Sequence, residues 1–310
     1  MKYFLYIQIL LSTLADVPQK RIPVGGQAVI EGVLMKGPEH WGLAVRDPSG
    51  SICLKAWLGS QWLKKGLWKL PIIRGFATMV EMMRIGMKAL SLSAEISLGE
   101  EEKISPVEMF FSVIVAIVAV VGLFIALPMF VSEYFTKFFS LSHMGKNAIE
   151  GFTRGVIFVS SVAVIGLWRD MRRVFAYHGA EHKTINAYEH NAELTPSKVA
   201  AYSRIHRRCG TSFLIVVILV SIVVFSLIGS GSIVWRIGSR VILLPVVIGV
   251  SYEFIKAASN SETWGRVCIM PALSLQYITT REPDETQLEV AIAALELALD
   301  PEKDNNLQVV

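Results

Sequence analysis

Long apolar runs separated by short polar stretches occupy the middle of the chain. Three of them, at about 107–131, 211–228 and 241–258, reach the length of about 20 mostly apolar residues that hydrocarbon requires. A further run at about 151–168 is interrupted by Arg154, and it qualifies if that side chain extends to the membrane interface from the first turn. The pattern therefore predicts an α-helical membrane protein with about four transmembrane helices.

A small β element is predicted before the first span, within residues 22–60. The apolar run 27–30 is bounded by Gly-containing turns and predicts a strand. Residues 42–46 and 52–57 flank Asp47-Pro48-Ser49-Gly50, a turn with Pro at its second position and Gly at its fourth, so a hairpin is expected. We expect three or more strands on the side of the membrane where the amino terminus lies.

The segment 61–104 predicts an amphipathic helical region. Its apolar residues recur at helical spacing: Ile72, Phe76, Met79, Met83 and Met87. Two interpretations remain open, a helix that packs on the β element and a helix that lies in the inner membrane interface.

After the last span, residues 261–310 predict an interfacial segment and a carboxyl-terminal helix. The apolar stretch 264–278 contains Pro271 and is expected along the inner interface. The helix is expected at about 284–299, because acidic residues occupy its first turn. Its apolar stripe is predicted to be a docking face: Leu288, Ala291, Ile292, Leu295 and Leu299.

Composition supports the membrane interpretation. The chain is 53% hydrophobic with a mean hydropathy of +0.49, and only 18% of its residues are charged, against about 25% in soluble domains.

Within the four-span domain, 105–260, basic residues concentrate in the loop 169–210, so this loop should be cytoplasmic. They are Arg169, Arg172, Arg173, Lys183, Lys198, Arg204, Arg207 and Arg208. Both termini then face the cytoplasm of a bacterial inner membrane. The net charge of +4 follows from this bias, and no basic and aromatic groove predicts nucleic acid as a partner.

Residues 1–21 form an apolar leader or an interfacial helix. The apolar part is short for a span, and cleavage as a signal peptide would place the following positively charged residues outside. The three cysteines, Cys53, Cys209 and Cys268, are odd in number and widely spaced, so no disulfide framework is expected.

His178, Glu181 and His182 form an H-x-x-E-H pattern in the cytoplasmic loop. On a helix, residues three and four apart share one face, so two imidazoles and a carboxylate meet at one point. In inverted zincins such histidines bind zinc and the glutamate acts as the general base that activates water. The alternative is a polar helix whose histidines are solvated or cap backbone carbonyls.

Three further residues are candidates for the same site. His206 and Cys209 stand just before the third span, at the other end of the same loop, and Glu253 lies near the cytoplasmic end of the fourth. Four nitrogen and sulfur ligands would close a structural zinc site, whereas three plus water would leave a catalytic one. The alternative for His206 is a phosphate-facing residue within the basic run 204–208. Glu253 is a candidate third ligand or catalytic carboxylate, and an ion pair with Lys256 is its alternative.

Four segments together resemble the YqhQ-like family of bacterial membrane proteins. They are the residues 25–33, 178–184, 206–211 and 279–284. The resemblance extends from about 22 to 299, and it implies a predicted metal-dependent enzyme without specifying a reaction. Two features depart from the family pattern, the apolar leader and Arg207, which stands where a proline usually separates the histidine from Arg-Cys-Gly.

Two functions follow from these observations. The first is a zinc-dependent membrane hydrolase with its site at the cytoplasmic face, Glu181 as general base, and a peptide or lipid-derived substrate. The alternative is a non-catalytic accessory factor, for protein insertion or as a transporter subunit, with a structural metal or none. The partners expected are the lipid bilayer and an unidentified substrate or membrane protein.

Overall fold

The computed structural model describes residues 23–98, 106–228, 232–261 and 264–301, so the predicted leader at 1–21 lies outside it. Its amino-terminal part is an antiparallel sheet in the order β1-β2-β3-β4. The strands are β1 (Gly25–Val29), β2 (Gly32–Lys36), β3 (His40–Arg46) and β4 (Ile52–Leu58). The predicted strand and the predicted β3–β4 hairpin are confirmed. Strand β2 was not among the predicted elements: the Gly-containing turn that bounds the first strand leads directly into it.

Two short 3₁₀ turns, Gln61–Lys64 and Gly66–Lys69, lead from the sheet into helix α1 (Ile73–Leu98). The other helices follow in chain order: α2 (Pro106–Val121), a π-helical turn (Gly122–Ala126), α3 (Leu127–Phe139), α4 (His143–Ile165), α5 (Arg169–Glu189), α6 (Pro196–Val199), α7 (Gly210–Leu227), α8 (Ile233–Ser259), α9 (Trp264–Thr279) and α10 (Glu285–Leu299). Helix α1 thus begins later than the predicted region 61–104, after Pro71 and the left-handed backbone of Ile72.

Helices cover both faces of the sheet. Side chains alternate along a strand, so Val33 and Met35 pack with α5 and α10, while Leu34 packs on the opposite face. Helix α1 covers that opposite face with Ile85 and Ala89. The first interpretation of the 61–104 region, a helix packed on the β element, is therefore confirmed, but through residues other than the predicted stripe.

Four helical segments are long and apolar enough to cross a membrane, as the hydropathy pattern predicted. They are Phe110–Phe139, Met144–Ile165, Gly210–Leu227 and Ile237–Ser259. The first is longer than expected, because α2, the π-helical turn and α3 form one continuous helical segment. The second begins earlier than expected, and Arg154 lies in its interior.

A network of charged side chains connects these spans. Glu150 on α4 accepts hydrogen bonds of 2.9 and 2.6 Å from Arg240 on α8. Arg154 donates to the carbonyl of Phe124 in the π-helical turn at 2.9 Å and approaches the hydroxyl of Ser221 on α7 at 3.4 Å. All four candidate spans therefore contribute to one polar network. Arg154, which was expected at the membrane interface, lies within this network.

The carboxyl-terminal helix α10 packs against the sheet and α5. Its first turn carries a reciprocal capping arrangement between Asp284 and Gln287. The members of its predicted docking stripe are buried or partly buried in the core that α10 shares with β2, β3 and α5. Both the helix and its docking face are thus confirmed.

The loop between α5 and α7 contains one short helix. Helix α6 begins after Thr195 and ends at Val199. Polar side chains of α5 hold the carbonyls that follow: Lys183 donates to Ala200, and the Asn186 amide donates to Ser203 and Ile205. These bonds replace helical ones and keep the loop against α5.

Candidate metal centre

Helix α5 brings two of the predicted ligands together. The imidazole rings of His178 and His182, one turn apart, have centroids 4.4 Å from each other. Cys209 reaches the same place as the residue that precedes α7. One nitrogen of each histidine and the Sγ atom of Cys209 lie within 4.8 Å of one another. The two ends of the loop 169–210 therefore meet at one three-residue cluster, His178, His182 and Cys209.

Backbone carbonyls fix the tautomers of both imidazoles. The Nδ1 atom of His178 lies 2.8 Å from the carbonyl oxygen of Thr279, and the Nδ1 atom of His182 lies 2.7 Å from that of Arg204. Because a carbonyl only accepts hydrogen bonds, each Nδ1 carries the proton when the ring is neutral. Each Nε2 then presents a lone pair to the cluster. Metal-binding histidines are typically oriented in this way.

The separations suit a tetrahedral ion. The Nε2 atom of His178 lies 3.3 Å from the Sγ atom of Cys209, and the usual zinc bond lengths place such a pair about 3.6 Å apart. The buried Nε2 of His182 has no hydrogen-bond partner among the residues described. A ligand set of two nitrogens and one sulfur therefore fits zinc and leaves a fourth position for another group.

The electrostatics of the three-residue cluster favour an ionised Cys209. Burial opposes ionisation of Cys209, but His182 and His178 hold the pKa of its thiol well below the ordinary value. Burial likewise opposes protonation of His178, but the charge and hydrogen bond of Cys209, the Glu181 charge and the Thr279 carbonyl together outweigh it and raise the pKa of His178 to about 9. For His182, burial dominates and lowers the pKa. The lowered pKa of Cys209 favours the thiolate, which is the form in which cysteine binds metals.

Glu181 is buried beside this cluster. Burial raises the pKa of its carboxyl group to about 7, with the Cys209 charge adding to the effect and the His178 charge opposing it. Its Oε2 atom has no hydrogen-bond partner in the described part of the chain. Strand β1 closes over the carboxyl group at Gly26, where a Cβ atom would lie 3.1 Å from the Cδ atom of Glu181.

His206 lies next to the cluster but faces elsewhere. Its ring centroid is 5.7 Å from that of His182, yet its Nε2 atom is 3.5 Å from the carboxylate of Glu189. Glu189 is also paired with Arg208. Burial lowers the pKa of His206 to about 4, so the imidazole is neutral near neutral pH. His206 therefore lies beside His178, His182 and Cys209 but is not one of these three candidate ligands.

Glu253 lies outside this group, because Arg74 on α1 binds it. Two guanidinium nitrogens of Arg74 contact the two carboxylate oxygens, and the Nε contact is 2.6 Å long. The ion pair expected for Glu253 thus exists, with Arg74 in place of Lys256. This ion pair joins the carboxyl-terminal part of α8 to α1, the helix that packs on the sheet.

Glu31 is bound by Arg173 and lies 3.2 Å from the hydroxyl of Tyr177, both on α5. The sequence analysis did not anticipate these partners. Glu31 has a left-handed backbone, with φ of 50°, in the two-residue turn between β1 and β2. This contact attaches the β1–β2 turn to α5 one turn before His178.

Several residues that shape the site carry no chemical signature in the sequence. The carbonyls of Thr279 and Arg204 belong to the backbone, which every residue has. Gln276 binds both the N–H and the carbonyl of His206, at 2.8 and 2.7 Å. Glu189 was recognisable in principle, because it lies seven residues after His182 and so on the same helical face.

Gly26 provides a test of how closely the sheet fits Glu181. We expect Gly26→Ala to destabilise the protein by about 1–3 kcal/mol, because its Cβ atom would lie 2.7 Å from the Leu34 carbonyl oxygen as well as against Glu181. Gly25→Ala is the matched control, since a Cβ atom there meets nothing within 4 Å, and its effect should stay within about 0.5 kcal/mol. Thermal unfolding of both variants in the same detergent measures the difference. Equal stabilities would contradict the close approach.

Comparison with known proteins agrees with the resemblance found in the sequence. The model of a family described as "Protein of unknown function (DUF1385)" matches residues 70–301. The "Uncharacterized protein YqhQ" of Bacillus subtilis (strain 168) is 34% identical over 288 residues, which cover 86% of this chain and 89% of that protein. No solved structure matches significantly. The chain therefore belongs to the DUF1385 family, with YqhQ as a relative.

Proposed function

We propose that this chain is a zinc-dependent membrane enzyme of the hydrolase class. The observation that carries the proposal is the cluster of His178, His182 and Cys209 beside the buried carboxylate of Glu181, whose Oε2 atom makes no hydrogen bond within the described ranges. Three protein ligands and a free base are the components of a catalytic zinc site.

The residues divide into two roles. Zinc held by two nitrogens and a sulfur would supply a Lewis acid that makes water a nucleophile near neutral pH. Glu181 would take the proton of that water at Oε2 and later return it to the leaving group. Thr279 and Arg204 would keep the two imidazoles in the ligating tautomer through their carbonyls.

The location of the site bears on its substrates. Exposed arginines, Arg169 and Arg172, follow the second span directly, which supports a cytoplasmic position for the cluster under the positive-inside rule. The same rule supports cytoplasmic termini in a bacterial inner membrane. A substrate presented at that surface, a peptide or a lipid-derived ester or amide, suits this position.

The alternative of an accessory factor with a structural metal requires a fourth protein ligand. His206 is the nearest candidate, and its Nε2 atom faces Glu189. This geometry favours the enzyme, because binding of His206 would require its ring to leave that carboxylate.

The test replaces zinc by cobalt(II) in the full-length protein and needs no substrate. We expect a thiolate-to-cobalt absorption band that is lost in Cys209→Ala and kept in Glu181→Gln. Added cyanide or a hydroxamate should shift the ligand-field bands, because both enter a vacant coordination position.

The possible results separate the candidates. If the ligand-field bands do not change when cyanide or the hydroxamate is added, the site is closed and structural, and this result would overturn the proposal of an enzyme. A protein that binds no stoichiometric zinc or cobalt would overturn both forms of the metal hypothesis. In that case the Cys209 thiolate, 3.3 Å from His178 Nε2, would be tested as a nucleophile by alkylation.

A further inference from the structure

Helix α1 has two apolar faces, and the residues that the structure describes cover one of them. Ile85 and Ala89 pack on the sheet. The opposite side exposes Met83 and Met87, which are 59% and 62% accessible. The exposed residues recur at intervals of three, four and seven, so they form a single stripe: Ile73, Val80, Met83, Met87 and Leu90.

The 3₁₀ turns before α1 expose further apolar side chains. Leu67 is 70% exposed, and Trp62 and Trp68 form an edge-to-face pair with centroids 4.9 Å apart while both remain exposed. Tryptophan pairs of this kind suit an environment that is apolar on one side and wet on the other. We call the stripe and these three residues the α1 surface.

Basic residues border the α1 surface. Between residues 61 and 98 the chain has six Lys or Arg and two Asp or Glu. One of the two acids, Glu81, is buried and neutralised by Lys36 at 2.9 Å. The exposed basic side chains at the border are Lys65, Lys69, Arg84 and Lys88. The border is therefore positive, and it complements an anionic lipid surface.

The α1 surface is continuous with a candidate span. At its amino-terminal end α1 crosses α8 so closely that a Cβ atom on Gly75 would lie 2.6 Å from the Cβ atom of Tyr252, and one on Gly249 would lie 2.3 Å from the Ile72 carbonyl oxygen. The Arg74–Glu253 pair fixes the same crossing. A helix attached to the end of a span has its free apolar face close to the bilayer boundary.

We propose that the α1 surface lies in the headgroup region of the membrane that the spans cross, with its basic border bound to anionic lipid. Amphipathic helices of this composition bind by burying their apolar face at the acyl boundary while Lys and Arg remain with the headgroups. The helix thus supports the sheet on one side and contacts lipid on the other. This inference is independent of the metal site and stands if that site proves empty.

A photocrosslinking experiment on the full-length protein in its own membranes tests the proposal. A benzophenone amino acid is placed at Met83, at Met87 and, as a control, at Glu296, an exposed position of α10 on the other side of the sheet. After illumination, mass spectrometry of the purified protein identifies the adducts. We expect lipid adducts at Met83 and Met87 several-fold above those at Glu296.

Each other outcome overturns the proposal. An adduct with residues 1–22, with a second copy or with a different protein at Met83 and Met87 would identify another occupant of the α1 surface. Lipid adduct yields at Met83 and Met87 that are no higher than at Glu296 would show that the α1 surface contacts water. A second arm in nanodiscs tests the charge: added phosphatidylglycerol should raise the lipid adduct, and the double variant Lys65→Gln, Lys69→Gln should remove that increase. Insensitivity to both changes would contradict the role of the basic border.

Discussion

The Cys209→Ala variant is expected to lose zinc. Changes to residues that merely orient zinc ligands lower affinity by about 10–100-fold, so loss of the only sulfur in the three-residue cluster should exceed about 100-fold. It also removes the charge that sits 3.3 Å from His178. We expect His182→Ala to have a similar effect, since its Nε2 points into the cluster without another partner in the described residues.

Competition with a chromophoric chelator measures these affinities on the purified full-length protein. Cys268→Ala is the matched control, because Cys268 is an exposed cysteine on α9 that does not belong to the cluster. It should bind zinc as the wild type does. If Cys209→Ala and Cys268→Ala bind zinc equally well, the cluster does not form the site.

A second large effect is expected at Glu150 inside the spans. Glu150 is 2% exposed and accepts two hydrogen bonds from Arg240, with Arg154 at 4.0 Å. Glu150→Ala leaves two arginines without the carboxylate that both approach. Removal of one partner of a buried ion pair typically costs about 3–5 kcal/mol, and unfolding in mixed micelles with increasing SDS measures that loss.

Two comparisons make this result specific. Glu133→Gln removes an acid whose pair with Lys146 is partly exposed, at 3.4 Å, so it should cost no more than about 1 kcal/mol. The double variant Glu150→Gln, Arg240→Gln should recover part of the loss from Glu150→Gln alone, because it removes one of the uncompensated charges. If the losses of unfolding free energy from Glu150→Gln and Arg240→Gln simply add in the double variant, Glu150 and Arg240 are not a coupled pair.

The sequence was informative where structure depends on local pattern. Hydropathy located four helical segments that are long and apolar enough to cross a membrane, and the turn at 47–50 located a hairpin. The i, i+4 spacing of His178 and His182 placed both rings on one face. Cys209 was found because the loop ends must converge on the same side of the membrane.

Contacts between distant residues escaped the same reasoning. Arg74 and Glu253 are 179 positions apart, and no periodicity relates two side chains across that distance. On α1, the spacing of apolar residues indicated an amphipathic helix but could not indicate which of two apolar faces meets the sheet. Strand β2 was missed for a similar reason, since its pairing with β1 and β3 distinguishes it from a loop.

The order in which the chain is made follows from where the parts of the metal centre lie. Gly26 is synthesised first, then His178 and His182, and Cys209 only after two spans have been completed. The carbonyl of Thr279 follows the fourth span. A ribosome must therefore translate almost the whole message before these residues can meet, so under the proposed function zinc loading is a late event in biogenesis. A chain truncated before the fourth candidate span would contain His178, His182 and Cys209 but would lack the Thr279 carbonyl that orients His178.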